Sequence, residues 1–168
     1  MPLFLALLPA ACRRAQPIVM LAPQQRLTQL RMSQSQDRET LWNLDARSAA
    51  IDDASDQAML ADPQMAFYKA GKLSSRLSAH SGMIAIKSSD ITLSSDVVVT
   101  SLLDNSVLKT SELLYSSQRR KFHTDKDVLL ARPGSVSRGR GLEASPDLSD
   151  ITIFNQRSVV QSGKNSLQ

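Results

Sequence analysis

Side chains able to act as nucleophiles, bases or metal ligands are few and scattered in this chain. Its 168 residues contain two histidines, His80 and His123, and one cysteine, Cys12. An activated nucleophile needs a base within hydrogen-bond reach and a third group to orient that base. No G-x-S-x-G elbow, H-E-x-x-H helix or G-x-x-x-x-G-K-[ST] phosphate loop is present. A single cysteine rules out an intramolecular disulfide and a C-x-x-C zinc site. His80 alternates against Leu77 and Ala79 and so belongs on a solvent face. Thr124-Asp125-Lys126-Asp127 brings two carboxylates close together, but these residue types in a polar step fit a turn better than an acid–base pair. The expectation is a non-enzyme with no catalytic residues, no metal and no cofactor.

The remaining candidate chemistry is basic. Net charge is +4 and the pI is about 9.5. Arg119, Arg120 and Lys121, together with Arg132, Arg138 and Arg140, either line a rim that meets phosphates or form a solvated face. Arg138-Gly139-Arg140-Gly141 has the look of an arginine–glycine tract, yet aromatics make up only 4% of the chain. A basic sheet without stacking rings is a poor nucleic-acid platform, so no nucleic acid is expected as partner.

The elements that must carry these residues are strands. Glu, which favours helices, occurs three times, against 13 Asp and 24 Ser, which favour turns. Trp42, Leu44 and Ala46 share one face with Asn43 and Asp45 opposite, the period-two pattern of a half-buried strand. Leu77 and Ala79, Ile84 and Ile86, Ile91 and Leu93, Val97 and Val99, Leu113 and Tyr115, Phe122 and Thr124, Val128 and Leu130, Leu142 and Ala144, and Ile151 and Ile153 repeat it. Polar steps separate them at 36–39, 52–53, 88–90, 104–105, 125–127 and 146–147. Comparable positions at Ala46, Ala79, Leu113 and Ala144 are spaced by 33, 34 and 31 residues, which suggests stacked sheet units. Many short strands with regular turns predict a sandwich, barrel or jelly roll.

Three regions follow from this. Residues 1–26 form an N-terminal apolar segment and linker, 27–160 the β domain, and 161–168 a disordered tail. The apolar run at 3–11 is too short to span a bilayer, which needs about 20 apolar residues. Three readings of it stay open. The favoured one is the end of a membrane helix that starts upstream of Met1. The others are a lipoprotein signal with Pro9-Ala10-Ala11-Cys12 as its cleavage box, and a surface-lying tail.

The order and spacing of several stretches resemble the LptC family. These are 42–46 followed by 61–67, then 77–99, and above all 108–115, 122–128 and 132–148. The likeness covers about residues 27–155 and rests on no single diagnostic motif. It implies an all-β, twisted, partly open β-jelly roll on the periplasmic side of the inner membrane. It further implies that the protein binds lipopolysaccharide, takes it from the inner-membrane lipopolysaccharide ABC transporter and passes it to LptA. The alternative is an LptA-like periplasmic bridge, or a β-sheet interaction module without lipid transfer.

On that reading the lipid-binding interior comprises Trp42, Leu44, Ala46, Phe67, Leu77, Ala79, Ile84, Ile86, Leu113, Tyr115 and Phe122. Each acyl methylene moved from water into such an interior gains about 0.8 kcal/mol. The partner-binding edge comprises Gly139, Gly141, Ile151 and Ile153. Gly141 matches a family glycine near the late strands, while the first strand (about 27–35) and the last (about 151–160) are the sheet edges open to strand addition.

Overall fold

The structure is a computed structural model and describes residues 25–52 and 54–159. The apolar run at 3–11, Cys12, Val160 and the tail at 161–168 lie outside the described residues. Among those described there are twelve strands and no helix. They are β1 (Gln25–Gln36), β2 (Glu39–Asp52), β3 (Gln57–Ala61), β4 (Gln64–Lys69), β5 (Lys72–Ser78), β6 (Ser81–Ala85), β7 (Asp90–Ser101), β8 (Val107–Ser116), β9 (Lys121–Arg132), β10 (Ser135–Ala144), β11 (Ile151–Ile153) and β12 (Arg157–Val159). All belong to one twisted antiparallel sheet, and the expected all-β jelly roll is what the chain forms.

Its connectivity is simpler than twelve strands suggest. β3 and β4 both pair with β2, at Ser48–Asp52 and at Trp42–Asp45. β5 and β6 both pair with β7, at Val98–Ser101 and at Asp90–Ser94. Each of these couples is therefore one long strand interrupted by a kink. The whole is an up-and-down meander of bent strands, with β1 on one edge and β11 and β12 on the other.

The interruptions form a line across the sheet. They fall at Gln29, Arg47, Asp62-Pro63, Ala79-His80, Ser95-Asp96, Ser111-Glu112, Asp125–Asp127 and Gly141. Gln29, Asp62, Ser95, Asp96 and Gly141 there have φ of 62°, 47°, 67°, 54° and 81°. Along β7 to β10 the register shifts at these breaks, and bulges of that kind bend a strand and sharpen its twist. Successive breaks lie about half as far apart as Ala46, Ala79, Leu113 and Ala144. The sequence repeat is thus two bent strands and their turn, and its four marker residues are all buried.

Bending along this line folds the sheet into two leaves with their apolar faces together. Within each leaf the alternation holds: Trp42, Leu44 and Ala46 are buried and Asn43 and Asp45 are not. In β8 the inward set shifts from Leu108 and Thr110 to Leu113 and Tyr115, because the bulge changes the phase. Phe67 in β4 meets Tyr115 in β8 and Phe122 in β9, although β4 pairs with neither strand. Those ring contacts cross the interior from leaf to leaf.

Two expectations need correction. Asp125–Asp127 is not a turn: it is the bulge in the middle of β9, where polar residues suit looped-out backbone as well as they suit a turn. By alternation Ile86 is the next inward position after Ile84 and is expected in the interior. β6 ends at Ala85, however, so Ile86 falls in the following turn and is 41% exposed.

The hairpin expected at 36–39 is present. Asp37 and Arg38 both have positive φ, 51° and 68°, the geometry that matches a two-residue turn to strand twist.

Candidate functional site

The inward faces of the two leaves make one apolar cluster. Trp42, Leu44, Phe67, Leu77, Ile84, Leu113, Tyr115 and Phe122 are each at most 2% exposed, and Ala46 and Ala79 are 6% and 8%. The fold brings these ten together from six strands and the β5–β6 kink. The same cluster holds Leu60, Met65, Ile91, Leu93, Val97, Val99, Leu108, Val128, Leu130, Leu142 and Leu148. Leu, Ile, Val and Ala dominate it, and the rings gather at one end as an edge-to-face trio with centroids 5.1–5.8 Å apart. Burial pushes the Tyr115 hydroxyl up to about 12. The lining is apolar throughout. It presents no nucleophile and base in contact, and among the described residues no three of His, Cys, Asp and Glu converge as metal ligands. His80 lies on the outer face beside Asp62 and Asp96, at 3.6 and 3.4 Å.

Opposite the line of bends, the two leaves are tied together by polar contacts. Lys69 Nζ at the end of β4 donates to Asp147 Oδ2 at 2.6 Å. The Ser75 hydroxyl in β5, fully buried, donates to the Pro146 carbonyl at 2.6 Å. Gln34 Oε1 in β1 accepts from Trp42 Nε1 at 2.6 Å and from the Ser117 hydroxyl at 2.9 Å. Arg120 donates to Gln36 Oε1. Each tie except that of Trp42 joins a turn or loop of one leaf to a strand of the other.

The loop at 145–150 is the most elaborate of these closures. Asp147 Oδ1 accepts from the hydroxyls of Ser145 and Ser149, at 2.6 and 2.7 Å, and from the Ser149 amide at 3.1 Å. Burial disfavours the Asp147 carboxylate, but Lys69 and the two serines outweigh it and hold the carboxyl well below its ordinary range. Ser145 and Asp150 close the loop through backbone and hydroxyl bonds. At its tip Leu148 is fully buried with φ of 59°, a conformation that a bulky residue adopts only under constraint. A pocket of about 350 Å³ beside it is lined by Leu41, Phe67, Tyr115, Arg120, Pro146 and Asp147, among others. Sequence reading placed Pro146-Asp147 in a turn and missed the loop's inward reach. A single leucine among Ser, Pro and Asp has no periodicity to reveal it.

A second concavity lies along the bends of β7–β10. This crevice of about 1080 Å³ is walled by Val97, Val98, Val128 and Leu129, with Lys109, Arg138 and Arg140 as its cations and Asp96 and Asp127 as its carboxylates. Among the described residues no carboxylate lies within ion-pair distance of Lys109 or Arg138. The other basic group is already committed: Arg119 pairs with Glu143, and Lys121 with Glu143 and Asp150 at 3.4 and 3.1 Å. Of the six expected rim residues, only Arg138 and Arg140 line the crevice. Lys109 joins them through cross-strand register, and no local pattern around it marks it out.

Of the expected partner edge, Gly139 and Gly141 lie in β10, whose outer side is covered by the chain's own returning segment, while Ile151 and Ile153 stand in that segment, in the outer strand β11. β11 pairs with Leu142–Ala144 and β12 with Val136–Arg138. Between them the Arg140 amide donates to the Phe154 carbonyl at 3.1 Å and the Phe154 amide to the Gly141 carbonyl at 2.9 Å. A Cβ on Gly139 would stand 2.4 Å from Ile153 Cγ2 and 2.9 Å from the Phe154 carbonyl oxygen. Gly139 and Gly141 therefore admit the chain's own returning segment, with Ile151 and Ile153 half-buried within it. At the opposite edge β1 pairs only with β2, so its outer edge is uncovered among the described residues.

A protein-family model described as LptC, Lipopolysaccharide-assembly, LptC-related, matches residues 23–160. No curated protein matches the chain.

Proposed function

Because this chain belongs to the LptC-related lipopolysaccharide-assembly family, we propose that it binds lipopolysaccharide between its two leaves, taking it from the inner-membrane ABC transporter and passing it to LptA. The family places the chain in lipopolysaccharide transport in the cell envelope. The binding mode and the two partners are our reading.

The observation that carries the reading is the single apolar interior running the width of the sheet, lined by mid-sized aliphatics. An acyl chain is matched by such a surface. Handing the lipid to a second sheet of the same kind keeps its methylenes out of water throughout, which avoids about 0.8 kcal/mol per methylene. The basic crevice supports the same ligand. Val97, Thr110 and Val128 belong to the inward rows and also line the crevice, so acyl chains inside and phosphates near Lys109, Arg138 and Arg140 suit one molecule.

Docking rests on sheet edges. The uncovered edge of β1 and the short β11, carrying Ile151 and Ile153, suit backbone pairing with the neighbours on either side. Among the described residues no helix is long and apolar enough to cross a membrane. Attachment to the inner membrane on its periplasmic side is proposed through residues 1–26.

The test is site-specific photocrosslinking in cells that make lipopolysaccharide. Probes at Leu44 and Phe122 are expected to form lipid adducts, and probes at the outward Asn43 and His123 are not. Absence of adducts at every inward position would sink the carrier reading.

A further inference from the structure

The polar ties between the leaves are concentrated on the side away from the bends, where a folded sheet has its natural opening. We propose that the loop at 145–150 is a gate on this opening, with Leu148 as its stopper and Lys69–Asp147 and Ser75–Pro146 as its latches, and that lipopolysaccharide passes sideways through it. This rests on the carrier reading and adds the route.

Three features set the loop apart from an ordinary connection. First, a link from β10 to β11 needs only a tight turn, yet this one sends a leucine into the core. Second, that leucine is held at φ of 59°. Backbone strain in a bulky residue persists only where the surroundings over-determine it, and here four side chains do so: Lys69, Ser75, Ser145 and Ser149. Third, the latches are polar and reach across leaves. Lys69 and Asp147 are 78 residues apart in sequence, one at the end of β4 and the other in the loop after β10, a strand that β4 does not pair with. The Lys69 end of its latch is open to solvent, with the side chain 63% exposed, whereas the apolar contacts around Leu148 are what an acyl chain replaces. Lifting the loop uncovers the edge of the ring trio, since Phe67 and Tyr115 line the pocket that Pro146 and Asp147 also line. The stopper and the lipid thus compete for one apolar seat, which lets the carrier stay closed when empty.

The test uses the full chain and purified lipopolysaccharide. Hydrogen exchange of the wild-type amides at 145–150 is expected to accelerate at least tenfold when the lipid binds. In stopped-flow mixing, the fluorescence of Trp42, the single tryptophan, reports uptake. Asp147→Asn and Leu148→Ala, each confirmed folded by its thermal midpoint, are expected to take up lipid at least fivefold faster. Lipid adducts at Leu44 and Phe122 with unchanged exchange in the loop, or with unchanged uptake by the folded Asp147→Asn, overturn the gate and leave the carrier reading standing. Absence of adducts at all inward positions overturns both.

Discussion

Phe67 stands perpendicular to Phe122, with ring centroids 5.2 Å apart, although their strands share no hydrogen bond. The edge-to-face pair spans the interior and, with Tyr115, holds the two leaves at a fixed separation. Aromatic pairs of this kind add about 0.5–1.5 kcal/mol to the burial of their surface. Phe67→Ala is expected to lower unfolding free energy by about 3–5 kcal/mol, measured by urea denaturation. Loss of under 1 kcal/mol would mean the leaves are held chiefly by other contacts.

Tyr115 makes stability depend on alkaline pH. Its folded pKa, about 12, lies above the unfolded value of about 10. The contribution is therefore fully present below pH 10 and is lost as pH rises from 10 to 12, because only the unfolded chain ionises there. The full loss amounts to about 3 kcal/mol. Tyr115→Phe is expected to flatten that part of the profile. Thermal midpoints of both proteins at pH 9, 10 and 11 decide it, since other alkaline titrations affect the two alike.

Asp147 behaves in the opposite sense. Its folded carboxyl is held below the ordinary range, so the latch contributes above the unfolded pKa of about 3.9 and is lost only as pH falls through the lower folded value. Exchange protection of the loop amides is expected to stay constant from pH 8 down to 5, after correction for intrinsic exchange rates. A transition in that interval would point to another titrating group.

At Gly139 an added Cβ meets both the Ile153 side chain and the Phe154 carbonyl oxygen. Gly139→Ala is expected to cost about 1–3 kcal/mol as an overpacked site. The damage is local: amides at 151–154 should lose protection while those of β4 and β5 keep theirs. Uniform loss across the sheet would show instead that the returning segment is part of the global folding unit.

Gln34 Oε1 accepts from both Trp42 and Ser117. Gln34→Leu leaves the buried indole N–H without a partner and should cost about 1–3 kcal/mol, read from chemical denaturation. Trp42→Phe in the Gln34→Leu background removes the orphaned donor and should recover part of that loss; no recovery would assign the cost to packing at position 34.

The alternation of Trp42, Leu44 and Ala46, and its recurrence to Leu142 and Ala144, determined by itself that the chain is all-β and which side chains point inward. That information is local, because neighbouring side chains on a strand point to opposite faces. Polar steps marked most turns for the same reason. They were ambiguous where a bulge and a turn want the same residues, as at Asp125–Asp127, and the end of a strand decided the fate of Ile86. Only the tertiary structure decided that eight breaks line up, that the sheet folds along them, and that Lys69 meets Asp147. Those relations depend on cross-strand register summed over many strands and on contacts between residues far apart in sequence. A lone leucine in a Ser-, Pro- and Asp-rich loop carries no local sign that it completes the core.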